Sequence, residues 1–392
     1  MESVGMKRIA LLGASGSIGR QTLDIIESFP DEFTLVSFSV GEKAHLIPGI
    51  LTKHRSVGTV YVRQTNLISS LQTQYPRIRF LSGNEGLPRL VKESMPQLVV
   101  NALVGFVGLE PTLVALNHSI DVALANKEAL VVGGPLVKAA LQKGKADLIP
   151  IDSEHVAIDK LLHAVRKREV AKIILTASGG ALYHYSRSQL ALVTPAQALA
   201  HPTWAMGPKI TVDSATMMNK GFEIIEAHYL FDFPGEKIEV TLHPTSKIHS
   251  MVQLVDGTYI ADIGLNNMHI PISYALFGRR RVFLPFIKQE AGFGKISPLE
   301  LKEIDLERFP ALNLARWALQ EEGTLPAVMN GANEVAVSAF LAGQLRFDLI
   351  ERVIQTTMER HRIVRDPDYG HLVKADQEAR DLAVNLIKEW HS

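Results

Sequence analysis

The chain has 392 residues, long enough for two or three domains at about 100–200 residues each. Hydrophobic residues make up 46% and charged ones 21%, and 41 Lys plus Arg balance 41 Asp plus Glu, so no net field draws the protein to nucleic acid or to an anionic membrane. Cysteine is absent, which excludes disulfides, thiolate metal sites and a cysteine nucleophile and leaves carboxylate and histidine as metal ligands.

Met1 to Arg8 holds no apolar run of signal-peptide length, and no later stretch reaches the ~18 consecutive apolar residues of a spanning helix, so a cytoplasmic protein is expected. Lys7–Leu12 reads as a short buried strand. It runs into Gly13-Ala14-Ser15-Gly16-Ser17-Ile18-Gly19, then into a helical stretch from Gln21 to Phe29 and a second strand at Phe33–Val40. Strand, glycine-rich turn and helix form the dinucleotide-binding context, in which glycines let backbone amides approach a pyrophosphate. The spacing is G-x-x-G-x-x-G, and the alternative is a tight strand-to-helix turn. Further strands are expected at Thr59–Val62, Leu98–Asn101, Asp121–Ala125 and Asp147–Pro150 with helical patterns between them, which argues a parallel sheet up to about residue 150.

Ala125-Asn126-Lys127-Glu128 follows a strand at the edge where such sheets bind ligands, and Lys127 either brings positive charge to a substrate oxygen or is a surface lysine. Ile151-Asp152-Ser153-Glu154-His155 sets two carboxylates at i and i+2. An extended backbone there points both to one side, where they can converge on a hard divalent ion. His155 alone reads as a hydrogen-bonded structural histidine. Ala177-Ser178-Gly179-Gly180 is either an anion-binding turn or only a tight one. His201-Pro202-Thr203-Trp204-Ala205-Met206-Gly207-Pro208 is either a lid or a loop that Trp204 anchors on the core.

Asp213 to Glu226 reads as a helix opening at a hydroxyl cap. Met217, Met218, Phe222, Ile225 and Tyr229 form a core face, while Asn219, Glu223 and Glu226 line another beside Lys220. Ser214, Thr216, first-turn amides and Lys220 together suit a phosphate; a purely structural cap is the alternative. Ile173–Leu175, Ile238–Leu242, Ser250–Val255 and Thr258–Ile263 suggest a second, α+β region, with Asp256-Gly257 as a hairpin turn. Arg279 to Leu306 reads as a connector, its Arg279-Arg280-Arg281 run a solvated structural feature. Leu312–Leu319, Ala332–Leu341, Leu349–Met358 and Gln377–Trp390 suggest a C-terminal helical bundle.

These pieces closely resemble the 1-deoxy-D-xylulose 5-phosphate reductoisomerase family over essentially the whole length. The resemblance rests on Gly13–Gly19, Ala125–Glu128, Ile151–His155, Leu175–Gly180 and above all on the run from His201 to Glu223, in which Phe222 stands where Leu is usual. It implies an NADPH domain at 1–150, a catalytic, metal-binding and dimer-forming domain at 151–285, a linker at 286–311 and a helical domain at 312–392. The fold class is α/β. The activity implied is NADPH-dependent, Mg²⁺- or Mn²⁺-dependent conversion of 1-deoxy-D-xylulose 5-phosphate to 2-C-methyl-D-erythritol 4-phosphate, a step of non-mevalonate isoprenoid synthesis, by a homodimer with no nucleic-acid or membrane partner. By resemblance Asp152, Glu154 and Glu223 hold the metal. Ser153, Ser178, His201, Ser214, Asn219, Lys220 and Glu223 bind substrate, and Lys127, Glu154, His201 and Trp204 serve catalysis. The cofactor is assigned Gly13, Ala14, Ser15, Gly16, Ser17, Ile18, Gly19, Gly41, Glu42, Lys43, Asn126, Glu128, Met206 and Gly207.

At the end of the second strand the family usually has Gly, a basic residue and Asn, whereas this chain has Gly41-Glu42-Lys43. Glu42 repels a 2′-phosphate and Lys43, with the Ser39 hydroxyl, restores attraction, so a reduced margin of NADPH over NADH is expected. Two rivals are a semialdehyde-type NADP enzyme, which needs the cysteine this chain lacks, and a non-catalytic nucleotide-binding protein, for which the acidic and phosphate motifs are surplus.

Overall fold

The computed structural model describes residues 5–204, 206–288 and 299–391; the expected linker at 286–311 therefore lies partly outside the described residues. Contacts divide the chain into two units where the sequence suggests four segments. One comprises Met1–Ala129, Pro135–Asp152 and Asn267–Leu284, the other Leu130–Gly134, Ser153–Asn266 and Pro285–Ser392.

The first unit is a seven-stranded sheet of β1 (Lys7–Leu12), β2 (Phe33–Val40), β3 (Thr59–Val62), β4 (Arg79–Leu81), β5 (Leu98–Asn101), β6 (Asp121–Leu124) and β7 (Leu148–Pro150). The order is β4-β3-β2-β1-β5-β6-β7 and every neighbouring pair is parallel. Helices cover such a sheet on both faces, so its strands read as continuous apolar runs, and Ile9, Leu11, Leu35, Phe38, Val60 and Val100 are fully buried. Strand order reverses between β1 and β5, and the glycine loop leaves β1 at that switch, where open α/β sheets bind ligands. β4, three residues long, was too short to announce itself by periodicity.

Asn267–Leu284 returns to this unit, although the sequence groups it with the catalytic region. Its helix His269–Leu276 packs on the helix Ser17–Ser28 and on β6 and β7. Phe277 meets Phe29 and Phe33 edge-on at 5.0 and 4.7 Å, and Lys7 Nζ donates to Leu276 O at 2.9 Å. The Arg279 guanidinium clamps both oxygens of Asp147, and Arg280 Nη2 lies 3.8 Å from Glu32. The arginine run thus ties this segment down.

The second unit carries β8 (Val170–Ala177), β9 (Ile238–Leu242), β10 (Ile248–Leu254) and β11 (Tyr259–Ile263) in the order β11-β10-β8-β9, only β8 and β9 being parallel. Helices Ala311–Glu321, Leu325–Leu341, Ile350–Arg360 and Tyr369–His391 form the expected bundle. They share one apolar core with β8 and the helix Met218–Phe231. At Gly221 a Cβ would come within 2.8 Å of Ala315 Cβ, which explains why the two helices cross there.

Candidate functional site

The glycine loop is built by sterics. Gly13 adopts φ +89°, and a Cβ there would strike Ala102 O at 2.5 Å; a Cβ on Gly19 would strike Gly13 O at 2.2 Å. The first glycine turns the chain and the third lets the helix pack on the strand. That helix begins at Ser17, four residues before the expected start, with Gly16 as N-cap and no side chain capping it. No side chain thus competes for its opening amides, the condition under which a helix start can take an anion. Ser39, expected to help attract the cofactor, is instead buried: its Oγ accepts from Gly13 N–H at 2.7 Å and its carbonyl from Ala14 N–H at 2.9 Å.

Asn126 caps the helix Lys127–Lys143 by accepting from Ala129 N–H at 3.1 Å. Its amide donates to Leu103 O, Gly105 O and Glu128 Oε2 at 3.1, 3.0 and 2.9 Å. Both Asn126 and Glu128 are buried, so Asn126 shapes the 103–105 loop. Lys127 opens the same helix and donates to Asp152 Oδ2 at 2.6 Å.

β7 leads through buried Ile151 to Asp152, whose peptide bond joins the helix Ser153–Ala164. The backbone there is helical rather than extended, so the expected strand alternation is not what aligns the two carboxylates. Glu154 lies in the helix's first turn, where the dipole favours an anion. Glu223 arrives from the helix Met218–Phe231, and oxygens of Asp152, Glu154 and Glu223 lie within 4.8 Å of one another. Two oxygens on one octahedral Mg²⁺ are ~3.0 Å apart when cis and ~4.2 Å when trans, so the three carboxylates would draw together on binding the ion. An all-oxygen donor set is the type that hard divalent ions take.

Three convergent carboxylates repel unless cations intervene, and lysines do so here. Lys220 Nζ donates to Glu154 Oε1 at 2.6 Å and to Glu223 Oε2, and Asn219 Nδ2 donates to Glu223 Oε1 at 2.5 Å. Ser153 Oγ donates to Glu154 Oε2. His155 is fully buried and its Nε2 bonds Glu223 O at 3.0 Å, a positioning contact of the structural kind the sequence suggests. His249, half-buried on β10, is held below the usual histidine pKa by desolvation, which outweighs the opposing fields of Glu154 and Asp262.

The expected helix over 213–226 is two helices. Pro208–Thr216 ends at Met217, which takes the left-handed conformation (φ +65°, ψ 7°), and a new helix starts at Met218. Ser214 therefore belongs to a last turn, and the hydroxyl that meets the new helix start is that of Thr216, which accepts from Met218 N–H at 3.3 Å. The break leaves the predicted core face intact: Met217, Met218, Phe222 and Ile225 are buried. Gly179 and Gly180 have φ of +80° and +64°, and a Cβ on Gly180 would lie 2.8 Å from backbone atoms of Ser214 and Ala215. The Ser178 turn and the Ser214 segment are thus in direct contact.

His201 Nδ1 accepts from Thr203 and Trp204 N–H at 3.2 and 3.0 Å. Its proton consequently sits on Nε2, which donates to Ser178 Oγ at 3.0 Å. Burial lowers the His201 pKa and reinforces this neutral form. Gly180 N–H also donates to Ser178 Oγ, at 3.2 Å, so the hydroxyl proton is directed elsewhere. Trp204 and Met206 are half-buried, and exposed Gly207 is the N-cap of Pro208–Thr216; Ala205 lies outside the described residues. Lys209 on that helix pairs with buried Asp213 at 2.7 Å and lies 4.8 Å from the Phe222 ring centroid, and Asn333 Nδ2 donates to Asp213 at 2.9 Å. Sequence reasoning missed His249, Asn333 and Arg63, an exposed arginine beside Glu42. For Arg63 a signal existed: a cation at the carboxyl end of the strand next to β2.

Family profiles match the chain in three stretches: 1-deoxy-D-xylulose 5-phosphate reductoisomerase at residues 9–134, its C-terminal domain at 148–231, and the DXP reductoisomerase C-terminal domain at 263–382. A relative of that name from Geobacillus sp. (strain WCH70) is 45% identical over 97% of this chain and 100% of its own length. One from Listeria monocytogenes (serotype 4a, strain HCC23) is 43% identical over 97% and 100%. A crystal structure of DOX-P reductoisomerase with NADPH, fosmidomycin and magnesium superposes with TM-score 0.91 at 32% identity, covering 98% of each chain. The Zymomonas mobilis enzyme with NADPH gives 0.87 at 35% identity, covering 97% of this chain and 99% of that one.

Proposed function

The chain belongs to the 1-deoxy-D-xylulose 5-phosphate reductoisomerase family, and from that premise we infer which of its residues perform the family's reaction. It is an NADPH- and metal-dependent enzyme that converts 1-deoxy-D-xylulose 5-phosphate to 2-C-methyl-D-erythritol 4-phosphate in isoprenoid biosynthesis. The observation that carries the residue assignment is the convergence of Asp152, Glu154 and Glu223.

These three carboxylates would hold the divalent ion, and the Gly13–Gly19 loop with the opening amides of Ser17–Ser28 would hold the cofactor's pyrophosphate. When bound, the ion supplies Lewis-acid polarisation of the substrate's oxygens, and NADPH supplies the hydride that reduces the rearranged carbonyl. Ser178, Ser214, Asn219 and Lys220 bind the phosphate end and its neighbouring hydroxyls. The Ser178 hydroxyl is aimed by His201, which keeps Oγ as an acceptor and so turns its proton toward a ligand oxygen. Lys220 spans Glu154 and Glu223 while its helix neighbour Asn219 grips Glu223, so the same side chains that screen the carboxylates can turn to the substrate anion. Lys127 screens Asp152 in the same way. His201, Trp204 and Met206 would cover the bound substrate and exclude water.

Glu154→Gln is the direct test. The thermal midpoint measured without Mg²⁺ should stay nearly constant while turnover at saturating Mg²⁺ falls by roughly two or more orders of magnitude. Turnover near that of the parent would remove Glu154 from the ligand set.

The protein is proposed to act as a homodimer. β11 lies at the edge of its sheet and its first residue, Tyr259, is 59% exposed, an edge suited to strand pairing with a second copy. Sedimentation at micromolar concentration should give twice the chain mass. No described helix is long and apolar enough to cross a membrane, and a cytoplasmic location is proposed with the activity.

A further inference from the structure

NADPH is the cofactor, yet the strand whose end meets the adenosine ribose in such sheets closes here on a carboxylate. Glu42 repels a 2′-phosphate and suits the bare diol of NADH. Something else on this edge must offset it. Lys43 heads the short turn Ala44–Leu46 and offers a compact ammonium on a flexible stem.

The neighbouring strand offers more. β2 and β3 run parallel with Val40 level with Val62, so Glu42 and Arg63 both leave the carboxyl edge of the sheet that carries the Gly13–Gly19 loop. Arg63 Nη1 lies 3.6 Å from Glu42 Oε1, and Gln64 Nε2 donates to Glu42 Oε2 at 3.4 Å. The Arg63 and Glu42 side chains are 72% and 69% exposed, so the pair is held weakly and the guanidinium stays open to a stronger anion.

We propose that Arg63 reads the 2′-phosphate of NADPH in this chain, with Glu42 as the tether that parks its guanidinium at the ribose position. A guanidinium presents five N–H donors in a planar fork, enough to keep one contact to the carboxylate and turn two donors to a phosphate. Glu42 is then neutralised by Arg63, and the sequence's departure at the end of β2 is answered one strand away. The assignment rests on reading the glycine loop as the cofactor site.

Equilibrium binding of NADPH and NADH, followed by reduced-nicotinamide fluorescence on the full chain, separates the possibilities. Arg63→Gln should weaken NADPH about tenfold or more, change NADH by no more than about twofold, and reduce the salt dependence of NADPH binding. Arg63→Lys should fall between, and Lys43→Ala should have the smaller effect. The melting temperature without cofactor should not move, since the side chain is exposed. An unchanged NADPH-to-NADH ratio in Arg63→Gln, with collapse in Lys43→Ala, overturns the proposal and leaves the cofactor site standing. A parent protein that binds neither nucleotide overturns both.

Discussion

His201 shows how one side chain can make the proposed phosphate site sensitive to pH. Its Nδ1 accepts two backbone N–H bonds and its Nε2–H serves Ser178, so only the neutral ring fits. Burial holds its folded pKa below the ordinary ~6.5, so the unfolded or opened loop binds the extra proton more readily. Stability of the closed arrangement is therefore present above pH ~6.5 and declines as pH falls through the lowered folded value. Proteolysis of residues 200–208 in the presence of a phosphonate analogue should accelerate between pH 7 and 5. His201→Asn should cleave quickly at both pH values, and equal pH sensitivity in that variant would assign the effect to another group. His201 was legible as a candidate from its place in a run with Trp204 and two prolines, but its tautomer was not, because that is set by N–H groups two and three residues on.

At the scale of elements, the break at Met217 decides where the residues proposed to bind substrate point. The sequence pattern suggests one helix from Asp213, and apolar spacing carries straight through Met217 and Met218, so periodicity gives no warning. What ends the first helix is tertiary: Gly180 packs on the Ser214–Ala215 backbone, and Asn333, from the helix Leu325–Leu341, donates to Asp213. A methionine in the left-handed region costs about 1 kcal/mol, while burying its side chain returns ~2–3. Packing wins, so Met217→Ala should lose roughly 2–4 kcal/mol by urea unfolding, whereas Met217→Gly, which relieves the backbone, should lose about 1 kcal/mol less. If glycine is the worse of the two, the left-handed turn is not populated in solution. Gly180→Ala combines a disfavoured φ with a clash against backbone and should both destabilise by ~1–3 kcal/mol and misplace Ser178. Its signature is a KM for the substrate raised more than that for NADPH. The D-x-E pair illustrates the other kind of legibility: the residues were readable, the reason for their convergence was not, because the helix begins one residue earlier than extended alternation requires.

Across the whole second unit, the C-terminal helices and the helix that carries Asn219, Lys220 and Glu223 bury one common core. Sequence periodicity located the first and third bundle helices to within about two residues, began the second and fourth about two turns late, and suggested a separate domain, since contact between remote segments such as Gly221 and Ala315 leaves no local pattern. One core implies one cooperative transition in which a ligand held by the carboxylates stabilises helices it never touches. Trp317 and Trp390 pack against that core, so in a Trp204→Phe background they report on the bundle alone. Mg²⁺ at 100 times its dissociation constant should stabilise the unit by about 2.7 kcal/mol, and the midpoint read by these two tryptophans should shift together with that read by far-UV dichroism. If Mg²⁺ moves the dichroism midpoint while tryptophan emission keeps its own, the bundle folds independently of the metal-site helix. Ala315→Leu sharpens the same comparison. The added volume faces Gly221, two residues from Glu223, so it should cost roughly 1–3 kcal/mol and also diminish the Mg²⁺-induced shift. A variant that loses stability with an undiminished shift would show that the crossing holds the fold without setting the carboxylate geometry.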